Sequence, residues 1–348
     1  MRIVVTLCLL ATLVACAETK TFLRYEATGE RMIWPQLPEP ARYRYVGQFT
    51  GEDNIFREEG GNFEKILRWL VGLANSEPDR LVLQRPQSGV ADDARGRVYV
   101  TDVGRRGVFV FDEPKGQILF WDDAGETRRF LTPSGIALGA NGQLLVADAD
   151  VGEVIRLGPN GEPLGSFGEG ILKRPTGIAR DPQTGRIYVS DTHAHNIKVF
   201  DDNGKLREVI GQRGEGVGEF NFPTFLTFAG NKLYVTDTLN SRIQVLDASG
   251  KYIFKFGRRG LNVGDLPRPK GVSVDRAGRV YVVESYYDHL LVYSQDGQLL
   301  LPIGGTGSEV GEFYLPSGVW TDTRGRVYVA DMFNGRVVIM EYVGGSLK

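Results

Sequence analysis

Between Arg85 and Tyr342, short apolar runs alternate with glycine-rich polar turns in a pattern written six times. A Pro, usually with a Gly, leads into a first short apolar segment such as Gly89-Val90-Ala91, Gly177-Ile178-Ala179 or Gly271-Val272-Ser273. A Gly-Arg turn follows, then a Val/Ile-Tyr-Val run that stops at an acidic residue. After a five-residue gap comes a second β-branched run, such as Val108 to Phe111, Ile197 to Phe200 or Ile243 to Leu246. A further Gly turn opens a fourth segment, as in Lys251 to Phe256. Asp202-Asn203-Gly204, Ala248-Ser249-Gly250, Gln295-Asp296-Gly297 and Pro159-Asn160-Gly161 each sit where a tight turn between the third and fourth strands is required. The Val98-Tyr99-Val100 type of run is apolar at every position, whereas a strand with one wet face alternates. Each sheet is therefore expected to be covered on both sides.

The acidic residues that end the second strand are Asp102, Asp148, Asp191, Asp237, Glu284 and Asp331, at steps of 46, 43, 46, 47 and 47 residues. Four-stranded units repeating every forty-odd residues predict an all-β, six-bladed β-propeller. The last unit has no fourth strand of its own. Tyr43-Arg44-Tyr45-Val46-Gly47-Gln48-Phe49 has the pattern of Lys251 to Phe256, so residues 43–50 are expected to pair with the third strand of blade six and close the ring. Residues 52–84 fall outside the repeat. Within them Phe63, Ile66, Leu67, Leu70, Val71 and Ala74 lie at helical spacing behind Asn62, which predicts one short amphipathic helix inserted in the domain.

The N-terminus adds an address. Met1-Arg2 precedes an apolar run from Ile3 to Val14, too short for a mature membrane span of about 20 residues, so residues 1–15 read as a cleaved export signal. Residues 17 to about 42, with Pro35, Pro38 and Pro40, suit an extended spacer or a segment lying along the domain. The two cysteines are Cys8, inside the signal, and Cys16, so the domain has no thiol for a disulfide, a zinc-thiolate site or a nucleophile. With 41 basic and 43 acidic residues the chain lacks the positive excess of a nucleic-acid platform, and no nucleic-acid partner is expected.

Two resemblances extend this reading. Leu13-Val14-Ala15-Cys16 resembles the lipobox of bacterial lipoproteins, which implies that Cys16 is lipidated and holds the protein on the cell envelope, at the outer membrane. Arg174 to Asp191, Gly214 to Pro223, Gly264 to Pro269 and Gly307 to Pro316 resemble the NHL repeat over residues 85–342. That resemblance implies a six-bladed propeller serving as a binding scaffold, with a minority of enzymes among its relatives. The domains expected are thus a signal (1–15), a lipidated Cys and tether (16–42), and a propeller (43–348).

Six carboxylates facing one rim invite a catalytic reading, but a short acceptor at a strand-to-turn junction caps backbone N–H groups, which is the reading preferred here. Gluconolactonase-like propellers hold a divalent metal on acidic residues of the inner strands. Here the middle positions are Ala91, Ala137, Ala179, Thr227, Ser273 and Trp320, with Asp92 the only adjacent acid. Peptidyl-amidoglycolate lyase, a six-bladed relative, binds zinc through histidines, and the histidines available here are His193, His195 and His289, in loops of blades three and five. A metal-dependent hydrolase or lyase is the alternative function. No cofactor is expected, and those histidines are the weak metal candidates. The face carrying the second-to-third-strand loops holds Arg105, Arg106, Asp150, Glu153, His193, His195, Asn240, Tyr286, Tyr287, Asp288, Phe333 and Asn334. Aromatic and adaptable polar groups together suit contact with an envelope protein, peptide or polysaccharide partner, with Tyr286, Tyr287, Phe333, His193, His195, Arg105 and Arg106 as the contact residues.

Overall fold

The computed structural model describes residues 21–25, 32–57, 80–125 and 127–344. The signal segment, Cys16 and the helix expected over Phe63 to Ala74 lie outside the described residues. The six repeats form six antiparallel sheets arranged as the blades of a propeller. In blade one the strands are Pro86–Asp92, Arg97–Asp102, Gly107–Asp112 and Gln117–Trp121, called a to d from the axis outward. Blades two to five repeat this order.

Why the b strands are apolar on both faces follows from where the core sits. It is spread over six clusters, one at each junction between neighbouring blades. Tyr281, Val283, Leu290 and Val292 of blade five meet Val327, Val329, Val338 and Met340 of blade six in one of them. Val98, Val100, Phe109 and Phe111 of blade one meet Val337 and Ile339 in the next. Tyr99, Tyr188, Tyr234, Tyr281 and Tyr328, one per b strand except in blade two, are all buried. Near the axis, side chains must give way to backbone. A Cβ on Gly135 would stand 2.6 Å from the Thr176 carbonyl oxygen of the next blade, so glycine is the residue that lets two inner strands touch there.

Ring closure is as the sequence predicts. Tyr43–Phe49 pairs with Arg336–Tyr342, matching Phe49 with Val337 and Tyr43 with Tyr342, past a bulge between Ile339 and Met340. Blade six thereby gains its outer strand, and Ile33–Trp34 adds a fifth outside it. The closing strand also grips both neighbours. Phe49 is fully buried and stacks on Phe111 of blade one at 4.2 Å, while the Tyr43 hydroxyl lies 3.1 Å from that of Tyr281 in blade five.

Of the two arrangements open to residues 17–42, the described parts lie along the domain. Thr21–Leu23 pairs with Ile55–Arg57, and the buried Asn54 ties the two segments together. Its amide donates to the carbonyls of Arg24 and Gln48 and its oxygen accepts from the Thr50 and Gly51 N–H groups.

Closure by an internal aromatic makes a sharp prediction. Phe49→Ala should lower unfolding free energy by about 3–5 kcal/mol in urea titrations, the range for a buried aromatic replaced by alanine. Arg44→Ala removes the solvent-facing Arg44–Glu341 ion pair from the same strand and should cost no more than about 1 kcal/mol.

Candidate functional site

The acids that end the b strands build the rim. All six are essentially inaccessible to solvent. Each turns back to accept N–H groups from the loop entering its own a strand. Asp102 takes those of Gln84 and Arg85, Asp148 those of Leu131 and Thr132, and Asp191 those of Lys173 and Arg174. Asp237, Glu284 and Asp331 take those of Asn221, Arg268 and Tyr314. The d–a loop of each blade is thus bound to its b–c loop. In blades three, four and six a cation completes the site: Lys198 at 2.5 Å from Asp191, Arg242 at 2.7 Å from Asp237 and Arg336 at 2.7 Å from Asp331. The capping role read from the sequence holds, and the carboxylates are occupied rather than presented.

On this stapled face, between blades three, four and five, lies a cavity of about 840 Å³. Its floor is made by a-strand residues Thr176, Thr224 and Lys270 together with Thr192 and Thr238 from the b–c loops. The hydroxyls pair across the strands, Thr176 with Thr192 at 2.6 Å and Thr224 with Thr238 at 2.7 Å. Thr192 and Thr238 also donate to the carbonyls of Pro223 and Pro269 in the following blade. Phe222, Leu239, Leu261, Pro267 and Tyr286 form apolar walls, and Arg174, Arg259 and Arg268 stand around the opening. Leu239, Leu261 and Tyr286 are exposed, at 50%, 81% and 60%. Among the described residues no carboxylate lines the cavity.

Lys270 is half-buried on this floor, and burial with the neighbouring Arg268 holds its ammonium below the ordinary lysine value. Its backbone is fixed by Thr236, whose hydroxyl donates to the Lys270 carbonyl at 2.7 Å. At the opposite end of the axis the channel opens as a second cavity of about 530 Å³. Ala137, Ala179, Thr227, Ser273 and Trp320 line it, five of the six positions expected to do so. Trp320 stacks on Tyr328 and lies over Gly89 of blade one, so it packs between blades while its edge reaches the channel. Asp92 is buried against Arg95 and takes no part in the channel lining.

The predicted contact residues divide. Tyr286 is in the cavity wall and meets Tyr287 edge to face at 4.9 Å. His193 and His195 both pack on Phe222, whose ring lines the cavity. His195 is buried, its Nδ1 accepts the Phe222 N–H at 3.2 Å, and burial with nearby Arg213 lowers its pKa, favouring the neutral ring. His289 sits elsewhere, with Tyr287 beside a small hollow of about 110 Å³. Among the described residues no three His, Cys, Asp or Glu side chains converge as a metal centre requires. Phe333 lies apart against Tyr314 and under the Arg85 guanidinium.

Arg105 binds the carbonyls of Val82 and Arg80, and Arg106 is exposed in a left-handed turn of blade one. Asp150 is held by Arg174 and Thr132, Glu153 by Arg128 and Ser166, and Asp288 by Thr306 and the Leu315 N–H. Asn240 and Asn334 reach the loop carbonyls of Gly214 and Gly307. Sequence reasoning missed Lys270, Arg259, Arg268, Phe222 and Leu239. One signal was available. The position before the inner-strand glycine reads Ser88, Ser134, Thr176, Ser317, and Thr224 before Phe225, but Lys270 in blade five.

Residues 172–200 match the family model of the NHL repeat, and that stretch is strands a to c of blade three with its entry loop. The chain is a six-bladed β-propeller carrying an NHL repeat. It is 30% identical over 127 residues to Protein brain tumor of Drosophila melanogaster, covering 36% of this chain and 12% of that protein's length. The match covers only that small share of this curated relative's length. In fold it is similar to an auxiliary nutrient binding protein from Bacteroides thetaiotaomicron, with a TM-score of 0.61, 12% identity, and 76% of this chain and 71% of that one covered. It is likewise similar to a streptogramin B lyase, with a TM-score of 0.54, 14% identity, and 75% and 94% covered. At such identities the likeness is one of fold.

The staple can be tested directly. Asp237→Ala leaves Arg242 buried without its carboxylate and frees the Asn221 N–H, so it should cost about 3–5 kcal/mol in denaturant titration. Asp237→Asn, which keeps an acceptor, should cost less.

Proposed function

We propose that this protein is a binding scaffold of the bacterial cell envelope, tethered through a lipidated Cys16, that presents the loop face of its propeller to a partner. The observation that carries this reading is the large cavity on that face. It falls within the usual size of ligand sites, about 300–1,000 Å³, and has apolar walls with a few convergent polar groups. Its floor belongs to strands, and the rim is held by buried carboxylates, so the surface is preformed. A preformed surface loses less ordering entropy on binding than a mobile one. The nutrient-binding description of one structural neighbour is consistent with a carrier of this kind. An envelope protein, a peptide or a polysaccharide fits the mixture of Tyr286, Leu239 and Leu261 with the surrounding arginines.

The reading is tested by photocrosslinking in intact envelopes. A photoreactive residue at Leu239 should capture one defined envelope component, and one at Gln183, beside Pro182 of the opposite channel mouth, should not. With the photoreactive residue kept at Leu239, Tyr286→Ala combined with Leu261→Ala should cut capture at least about tenfold with the unfolding midpoint unchanged. Equal capture from both faces would sink the assignment.

A further inference from the structure

We propose that the cavity between blades three, four and five is a phosphate-binding site, taking a ligand that carries a phosphomonoester group on a body able to pack against Tyr286 and Leu239. This rests on the reading of the loop face as a binding surface and adds the chemistry of what it holds. Three cations carry the argument. Lys270, Arg259 and Arg268 all line the cavity, and among the described residues none of their side chains has an ion pair or a side-chain hydrogen bond. Arg174, the fourth, is already paired with Asp150 at 2.5 Å. The molecule places a carboxylate beside the buried guanidiniums of Arg97, Arg242, Arg326 and Arg336, whereas the half-buried Lys270 has the exposed Arg259 and Arg268 as its neighbours in the cavity and, among the described residues, no acid lining it.

A charge held half-buried with no partner is costly, and the cost falls when an anion arrives. The number of charges narrows the class. A single carboxylate would neutralise one of three, whereas a phosphomonoester brings about −1.5 to −2 and three acceptor oxygens. The threonine hydroxyls of the floor are spent on one another and on carbonyls of the following blade, so the donors left for an anion are the three cations. Lys270 stands where every other blade has Ser or Thr, so the repeat itself does not call for it.

The experiment is calorimetric titration of the purified protein with inorganic phosphate, glucose 6-phosphate, glucose, malonate and a phosphomannan whose phosphates have been converted to monoesters by mild acid. Glucose 6-phosphate should bind at least about tenfold more tightly than glucose, and inorganic phosphate should compete with it. Lys270→Met should weaken glucose 6-phosphate at least about tenfold without lowering the unfolding midpoint, and Arg268→Gln should weaken it severalfold. Binding of phosphomannan tighter than of glucose 6-phosphate assigns the phosphate to a polymer, and the reverse assigns it to a free small molecule. The proposal is overturned if the phosphate probes bind no better than glucose, if malonate outcompetes them, or if Lys270→Met binds as the parent does. Should phosphate binding fail while capture through Leu239 persists, the scaffold reading stands without this ligand. Phosphate binding with capture insensitive to Tyr286→Ala and Leu261→Ala would instead remove the macromolecular partner.

Discussion

Everything on the loop face depends on a carboxylate that no solvent reaches. A buried anion is tolerated only when its lone pairs are filled and its charge is answered. The blades meet this demand in two ways. Asp148 accepts four backbone N–H groups, from Leu131, Thr132, Asp150 and Val151, and Glu284 accepts three, from Arg268, Tyr286 and Tyr287. In these blades the partial charges of the peptide dipoles answer the anion. Asp237 and Asp331 take fewer N–H groups and add a buried arginine, which in turn reaches the carbonyls of its own d–a loop. Both solutions tie together two loops distant in sequence, and both do so at the same height on the axis.

That tie decides what the face can be. Loops between propeller strands carry few apolar contacts of their own and would otherwise move independently. With a carboxylate fixing the entry to strand a against the exit from strand b, the walls of the cavity are set by the blades. Tyr286 illustrates this: its ring is exposed, yet its N–H is held by Glu284. The loop face is therefore built on strand ends, where position is determined by the inter-blade cores.

The architecture was legible because it is repeated. A Tyr between two aliphatic residues on every b strand but one, a Gly where inner strands touch in every blade but the fourth and an acid at every b-strand end each answer one recurring constraint, so the pattern is amplified by repetition. Closure was legible for a related reason, since Tyr43 to Phe49 obeys the rule of a d strand in the wrong place in the chain. The outer additions were less so. Ile33–Trp34 and Thr21–Leu23 are too short to show a period, and their pairing is decided by the surface they meet.

The site was poorly legible for the opposite reason. Loop composition pointed to the face that carries the cavity between blades three, four and five but could not rank its residues, because Asp150, Asn240, Asp288 and Asn334 look like contacts and are spent on holding loops. Arg105 is another such case, its guanidinium being bound to the carbonyls of Val82 and Arg80. What distinguishes a usable group in a repeat protein is failure to serve the repeat. Phe225 replaces the inner-strand glycine in blade four, and Lys270 replaces the hydroxyl residue in blade five. Both departures fall on adjacent blades, and Lys270 lies in the cavity itself while Phe225 lines the channel. A residue that the fold does not need, standing at a place where it costs free energy, is retained only if something outside the fold repays it. In a molecule whose six blades solve one structural problem six times, the departures from the common solution are where the proposed ligand would be accommodated.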